Sequence, residues 1–366
     1  MDSALHTLIE QVRAAAARPA PLRIRGGGSK DFHGAAVQGE LLDTRACAGI
    51  VAYEPSELVV TVRAGTPLAA LEAALAAQRQ CLPFEPPRLG PGGTVGGMVA
   101  AGLSGPARAS VGAVRDYVLG LKLINGRAEH LAFGGQVMKN VAGYDVSRLM
   151  AGAWGTLGVI TEVSLKVLPV APAEATLRFE CDQAEALRRL HAWGGQPLPL
   201  NASCWVRDAG VDTLYVRLRG AAAAVEAACR SMGGERQPGA AADWDACRDQ
   251  TLPWFTAGVQ AGLDLWRLSL PATAPVLALP GGVAPPLIEW HGALRWVLAA
   301  PGQGGALRAA ARQAGGSAAL FRAADGPPAG AAADAEALSP ALRALHARLR
   351  QSFDPAGIFN PGRMTV

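Results

Sequence analysis

The stretch Gly90-Pro91-Gly92-Gly93-Thr94-Val95-Gly96-Gly97-Met98-Val99-Ala100-Ala101-Gly102 constrains this chain more than any other part of it. Glycines at this density let a backbone lie directly against a ligand or against another backbone, because no Cβ intervenes. A set of flexible turns is the alternative, but turns rarely carry residues as apolar as Val95, Met98 and Val99 between their glycines. The run continues through Gly105 to Ser110-Val111-Gly112 and a strand pattern starting at Tyr117.

Two further glycine clusters flank it. Gly26-Gly27-Gly28-Ser29-Lys30 follows a strand-like Pro21–Arg25 and would let successive N–H groups converge on an anion, for which a pyrophosphate is the natural guest. An ordinary turn is an equal reading of that loop alone. Gly152-Ala153-Trp154-Gly155-Thr156-Leu157-Gly158 precedes the strand pattern Val159-Ile160-Thr161. Neither G-x-G-x-x-G nor G-x-x-x-x-G-K-[ST] occurs, which argues against the Rossmann and P-loop ways of holding phosphate.

Around these clusters the chain alternates strands and helices. Strands are expected near Gly49–Ala52, Leu58–Val62 and Tyr117–Ile124. Thr66 is expected to cap a helix with Pro67 in its first turn and Leu68, Leu71 and Leu75 on one face. Asn125-Gly126 suits a tight hairpin returning over Arg127–Ala132. Val163, Leu165 and Val167 alternate with polar residues before Pro169 and Pro172, which mark a domain break. Beyond it, two β-α-β-β-α-like passes suggest one antiparallel sheet with helices on one face. A Gly/Pro/Ala linker over 323–335 then leads to a helix over Ser339–Ser352.

Composition narrows the function. Net charge is +4 in 366 residues, with basic residues scattered singly, so a nucleic-acid partner is not expected. Six well-separated cysteines form no C-x-x-C pair and read as thiols in a reducing compartment, with no iron–sulfur or zinc ligand set. No metal site is expected. The N-terminal amphipathic helix lacks the marks of a signal peptide, and no apolar run is long enough to span a membrane. A cytoplasmic chain, peripheral to a membrane only through partners, is the expectation.

RIRGGGSKDFHG, GTVGGMVAAGLSGP, SVGAVRDYVLGLKLI and KNVAGYDVSRLMAGAWGTLGVITEVSLKVLP stand in the order and spacing of the vanillyl-alcohol oxidase, or PCMH-type, FAD family. FDPAGIFNPGRM resembles the closing segment of its D-lactate and glycolate dehydrogenase branch, and the short chain with VMKNVAGYDVSRLM resembles the shorter FAD subunits of bacterial glycolate oxidases. The resemblance covers roughly residues 20–170 and 335–366. It implies an α+β fold: a PCMH-type two-subdomain FAD-binding domain over 1–170, a smaller α+β cap domain with an antiparallel sheet over 171–322, and a linker with a C-terminal helix and tail over 323–366.

The resemblance further implies non-covalent FAD. Gly26, Gly27, Gly28, Ser29 and Lys30 would wrap its pyrophosphate. Gly93, Thr94, Val95, Gly96, Gly97, Gly102, Gly105, Val111 and Gly112 would line its length, with backbone groups from Gly158, Val159 and Ile160 and an approach by Asn360. His33 falls a few residues after the position where some relatives bind flavin covalently. The metal-ligand histidines of larger relatives are reduced to His291 in Glu289-Trp290-His291-Gly292, and a lone histidine at a strand end is more often an ordinary hydrogen-bonded residue. Lys139, Tyr144, His291 and Arg322 are the catalytic or carboxylate-binding candidates, Lys139 being also open to pairing with Asp145.

The activity implied is oxidation of glycolate, a small 2-hydroxy acid, to glyoxylate. Electrons would leave through a partner carrier: a larger FAD subunit and an Fe–S subunit of a complex. A self-sufficient FAD oxidase of another hydroxy acid or alcohol, and a non-catalytic flavin-bearing assembly or electron-transfer subunit, remain as alternatives.

Overall fold

The computed structural model describes residues 3–135, 145–327 and 339–364. The chain divides into two compact units. The first comprises residues 1–103, 113–170 and 327–366; the second comprises residues 104–112 and 171–326. Residues 104–112, which contain Gly105, Val111 and Gly112, therefore group with the second unit.

The first unit is built on a five-stranded antiparallel sheet. Its strands lie in the order Ile50–Glu54, Val59–Arg63, Val159–Lys166, Val118–Ile124, His130–Gly134. Val163 and Leu165 are fully buried, and with Val60 and Val62 they face the helix Leu68–Ala77 through Leu71 and Leu75. Each fully buried aliphatic side chain of this kind contributes about 1.5–3 kcal/mol. Two local expectations are corrected. Pro67 itself occupies the cap position, and the Thr66 hydroxyl instead accepts from the Gly49 N–H at 2.8 Å. The Asn125-Gly126 connection is a longer loop: Asn125 Oδ1 accepts from Arg127 N and Glu129 N, so the return strand starts only at His130.

A second layer of this unit surrounds the strand Leu22–Arg25, which pairs in parallel with Glu40–Asp43. The helix Ser3–Ala17 lays Leu8, Ile9 and Val12 onto Leu22, Leu42 and Val159. The tail closes this layer. Leu22 N donates to Ile358 O at 2.7 Å, and Asn360 N donates to Leu22 O at 3.0 Å. The tail bends at Asp354, whose buried carboxylate accepts from Ile358 N at 3.1 Å and Phe359 N at 2.8 Å.

The second unit holds one eight-stranded sheet. Its order is Glu235–Arg236, Ala173–Glu180, Val211–Gly220, Leu200–Asp208, Leu287–Glu289, Leu294–Ala299, Asp264–Ser269, Ser317–Arg322, antiparallel throughout. Helices cover both faces, not one. Leu177, Trp205 and Ile288 pack under the helices Gln183–Gly194 and Ala222–Met232. Residues of opposite parity face Ala241–Asp249 and Pro253–Gln260: Trp244 Nε1 donates to Thr176 Oγ1 at 2.9 Å, and Phe255 meets Trp296 edge-on. Those two helices are short and interrupted by Gln250 and Pro253, so their periodicity is too brief to read from sequence.

Candidate functional site

In the first unit, two glycine loops close on each other. A Cβ at Gly27 would stand 1.5 Å from the Gly92 carbonyl oxygen, and one at Gly26 would stand 2.3 Å from Thr94 Oγ1. Gly28 takes φ +75°, where any other L residue is strained. Some of these glycines thus serve the approach of one backbone to another as well as that of a ligand. Thr94 then starts the short helix Val95–Ala101, its hydroxyl accepting from Gly97 N at 3.2 Å.

The loops form one wall of a cavity of about 310 Å³. Of the residues singled out in the sequence, it is lined by Gly26, Gly27, Gly28, Ser29, Lys30, Thr94, Gly96, Gly97, Gly158, Ile160 and Asn360. The rest sit elsewhere. Val95 and Val159 are fully buried core residues, and the Gly93 carbonyl accepts from Leu68 N. Gly102 ends its helix at φ +62°, tight against Gly152, and Gly105 accepts from Trp290 in the second unit. Val111 and Gly112 end the short helix Arg108–Val111 of that same unit. They follow the motif but do not line this cavity. Lys139 and Tyr144 lie outside the described residues.

The cavity also recruits groups that the motifs did not announce, including Arg23, Arg25, Asp31, Trp154 and Arg363. Among the described lining residues, Arg23, Arg25, Lys30 and Arg363 face one carboxylate, Asp31. Arg25 Nε donates to Asp31 at 2.7 Å, and Arg363 Nη2 to Lys30 O at 2.7 Å. Burial lowers the Arg363 pKa, with Asp31 opposing the shift. Trp154 is framed by His33, stacked at 4.3 Å, and by the Arg363 guanidinium 5.4 Å from its ring centre. Asn360 clamps the site from the tail: its Oδ1 accepts from Ile24 N at 2.8 Å and its Nδ2 donates to Trp154 O at 2.9 Å. The alternation Arg23/Arg25 was the readable signal; Arg363 and Trp154 join only through the tail's long-range return.

A cradle of backbone N–H groups, an excess of cations and apolar walls from Ile24, Val37, Ala100 and Ile160 fit a pyrophosphate carrying an aromatic group at either end. Among the described residues, no group of three or more His, Cys, Asp or Glu could hold a metal ion.

In the second unit His291 lies in the turn Trp290–Gly292, with Trp290 at φ 53° and His291 at φ 55°. The Ser203 hydroxyl accepts from His291 N at 3.0 Å and shares a second hydrogen bond with Nδ1, also at 3.0 Å. Nε2 shares a hydrogen bond with Ser110 Oγ at 3.0 Å. Burial pushes the imidazole pKa down to about 4, so it is neutral at pH 7. Arg322 does not join it. Arg322 pairs with Leu265, whereas the turn adjoins the Ser269 end of that same strand, roughly 13 Å away at strand rise.

Residues 5–134 match the family described as an FAD binding domain. The glycolate oxidase subunit GlcE of Escherichia coli is 47% identical over 98% of this chain and 96% of its own length. Glycolate oxidase subunit GlcD of Bacillus subtilis is 38% identical over 23% of this chain and 18% of its own, and a Xanthomonas citri D-2-hydroxyglutarate dehydrogenase is 29% identical over 67% and 54%. A solved alkyldihydroxyacetonephosphate synthase shares the fold, with a TM-score of 0.67 at 15% identity over 97% of this chain and 74% of its own. Among the described residues, no helix is long and apolar enough to cross a membrane.

Proposed function

The chain belongs to the family of glycolate oxidase subunit GlcE, an FAD-binding family, and from that premise we propose that it is the FAD-containing subunit of a glycolate oxidase complex. The identity of 47% across nearly the whole of both chains carries this reading. Gly26 to Lys30 would hold the pyrophosphate of non-covalent FAD, with Arg23, Arg25 and Arg363 of the same cavity lining balancing its charge. Asn360 fixes the distance between Ile24 and Trp154 and so keeps the cavity open to the cofactor. Bound FAD would supply a two-electron acceptor for the oxidation of glycolate, a 2-hydroxy acid, to glyoxylate.

The electrons then need a carrier outside this chain. We place a larger, GlcD-type FAD subunit and an Fe–S subunit in the complex, with any membrane attachment made through them. The domain frame proposed is 1–170 for FAD, 171–322 for the cap and 323–366 for the returning tail. His291 serves as a neutral hydrogen-bonding residue and not as a metal ligand.

Purified chain should be yellow and release its FAD on acid precipitation. Glycolate-dependent dye reduction should be low for the chain alone and rise when both partners are co-expressed. Full turnover per flavin by the isolated chain would overturn the subunit reading.

A further inference from the structure

One indole in the second unit carries two cations. The Arg108 guanidinium stands 4.4 Å from the centre of the Trp290 ring, and that of Arg267 stands 5.2 Å from it. Trp290 is buried and fixed by a 2.9 Å hydrogen bond from its Nε1 to Gly105 O. It stands in the left-handed backbone region together with His291, two successive non-glycine residues that each cost about 1–2 kcal/mol there. Strain of this kind is retained where the surroundings require it.

Arg267 comes from the strand Asp264–Ser269, on the face opposite to Trp266 and Leu268. Among the described residues, no hydrogen bond or ion pair reaches its guanidinium, although it is partly buried and carries five N–H donors. Burial first and the neighbouring Arg108 second bring its pKa down to about 10, so it remains charged at neutral pH. Glu289 is the counter-charge that opposes this shift. Its oxygens are already engaged, accepting from Trp296 Nε1 at 2.6 Å and Cys247 Sγ at 3.5 Å. The part-buried Arg267 fork thus stands beside a second guanidinium on the same ring and an occupied carboxylate. An anion that supplies two oxygens can make charge-assisted hydrogen bonds to both arms of such a fork.

We infer that Arg267, with Arg108 sharing the Trp290 ring, forms a binding site in the second unit for a small monocarboxylate. The planar fork matches a carboxylate. The nearby Glu289 disfavours a phosphate dianion. Trp290 holds both guanidinium planes, so little side-chain freedom is lost when the ligand arrives. The site itself is independent of the glycolate oxidase reading; choosing a 2-hydroxy acid as its ligand rests on that reading.

The test is calorimetric titration of the full FAD-loaded chain with glycolate, acetate and inorganic phosphate. Glycolate and acetate should bind at one site per chain and phosphate at least about tenfold more weakly. Arg267→Met should weaken glycolate about tenfold to a hundredfold, the loss of charge-assisted hydrogen bonds, with flavin content unchanged. Arg267→Lys, which keeps the charge and loses the fork, should fall between Met and the parent. Parental affinity in either variant, tighter phosphate than glycolate, or binding of neither carboxylate by flavin-loaded chain would overturn the site. Acetate bound through Arg267 with glycolate excluded would keep the site and count against the glycolate reading.

Discussion

The two units hold polar chemistry in opposite ways. The cavity of the first is shaped by what is missing: Gly26, Gly27, Gly28, Gly96 and Gly97 remove side chains so that backbone can converge. The turn of the second is shaped by what is present, with Trp290, His291, Arg108 and Arg267 brought together by a sheet and a strained corner. A glycine cradle concentrates its tolerance limits in the backbone and fails abruptly. A side-chain cluster can be dismantled group by group.

The largest effect should therefore come from the cradle. Gly27→Val places a branched side chain where even a Cβ meets the Gly92 carbonyl at 1.5 Å. The absorbance ratio of flavin to protein should fall close to zero, while far-UV circular dichroism retains most of the parental signal. A variant that keeps its yellow colour would show that the two loops do not need this contact.

The second unit should respond instead to pH. The imidazole of His291 has its pKa lowered to about 4, below the unfolded value, so its neutral form stabilises the fold. That contribution is complete above about pH 6.5 and is lost as pH falls from there through 4, amounting to about 3 kcal/mol. The midpoint of urea unfolding should decline over this window. His291→Gln should flatten the decline, and an unaltered slope would contradict it.

A smaller loss is expected from Asn360→Ala. It leaves Ile24 N and Trp154 O without their side-chain partner at a buried position, costing about 2–3 kcal/mol. Differential scanning calorimetry should show a lower Tm, with flavin weakened and not abolished; an unchanged Tm would mean water replaces the amide without cost. Thr94→Ala should be the mildest, at about 1 kcal/mol for a lost helix cap. Flavin should remain bound, and a loss as severe as that of Gly27→Val would place Thr94 in direct contact with the cofactor.

The same contrast explains which features were legible in the sequence. Gly26–Lys30 and Gly96–Gly97 stood out because conformational demands leave a signature in single residue types at fixed places. Val95, Gly102 and Val159 stand in the same segments and serve packing: Gly102 closes against Gly152, and the two valines are core residues. Arg363 and Trp154 reach the cavity through a tail that returns from far along the chain, which local patterns do not encode. Arg267 was invisible for a different reason: a lone arginine in a strand looks the same whether it meets solvent or a buried indole. The two helices on the second face were hidden by brevity, each under three turns.

The tail's hydrogen bonds to the strand Leu22–Arg25 also set an order of events during synthesis. Ile24 and Asn360 are 336 positions apart, and the whole of residues 171–326 is translated between them. The ribosome delivers the glycine loops well before the amide that braces them. The inserted sheet can complete its antiparallel pairings on the nascent chain while the cradle is still unbraced. Closing so long a loop adds little entropy per added residue, yet it delays the final contact until translation has reached the tail. Cofactor capture is thereby coupled to synthesis of the segment that carries Asn360, and chains terminated before it should present an open nucleotide cleft that retains flavin poorly.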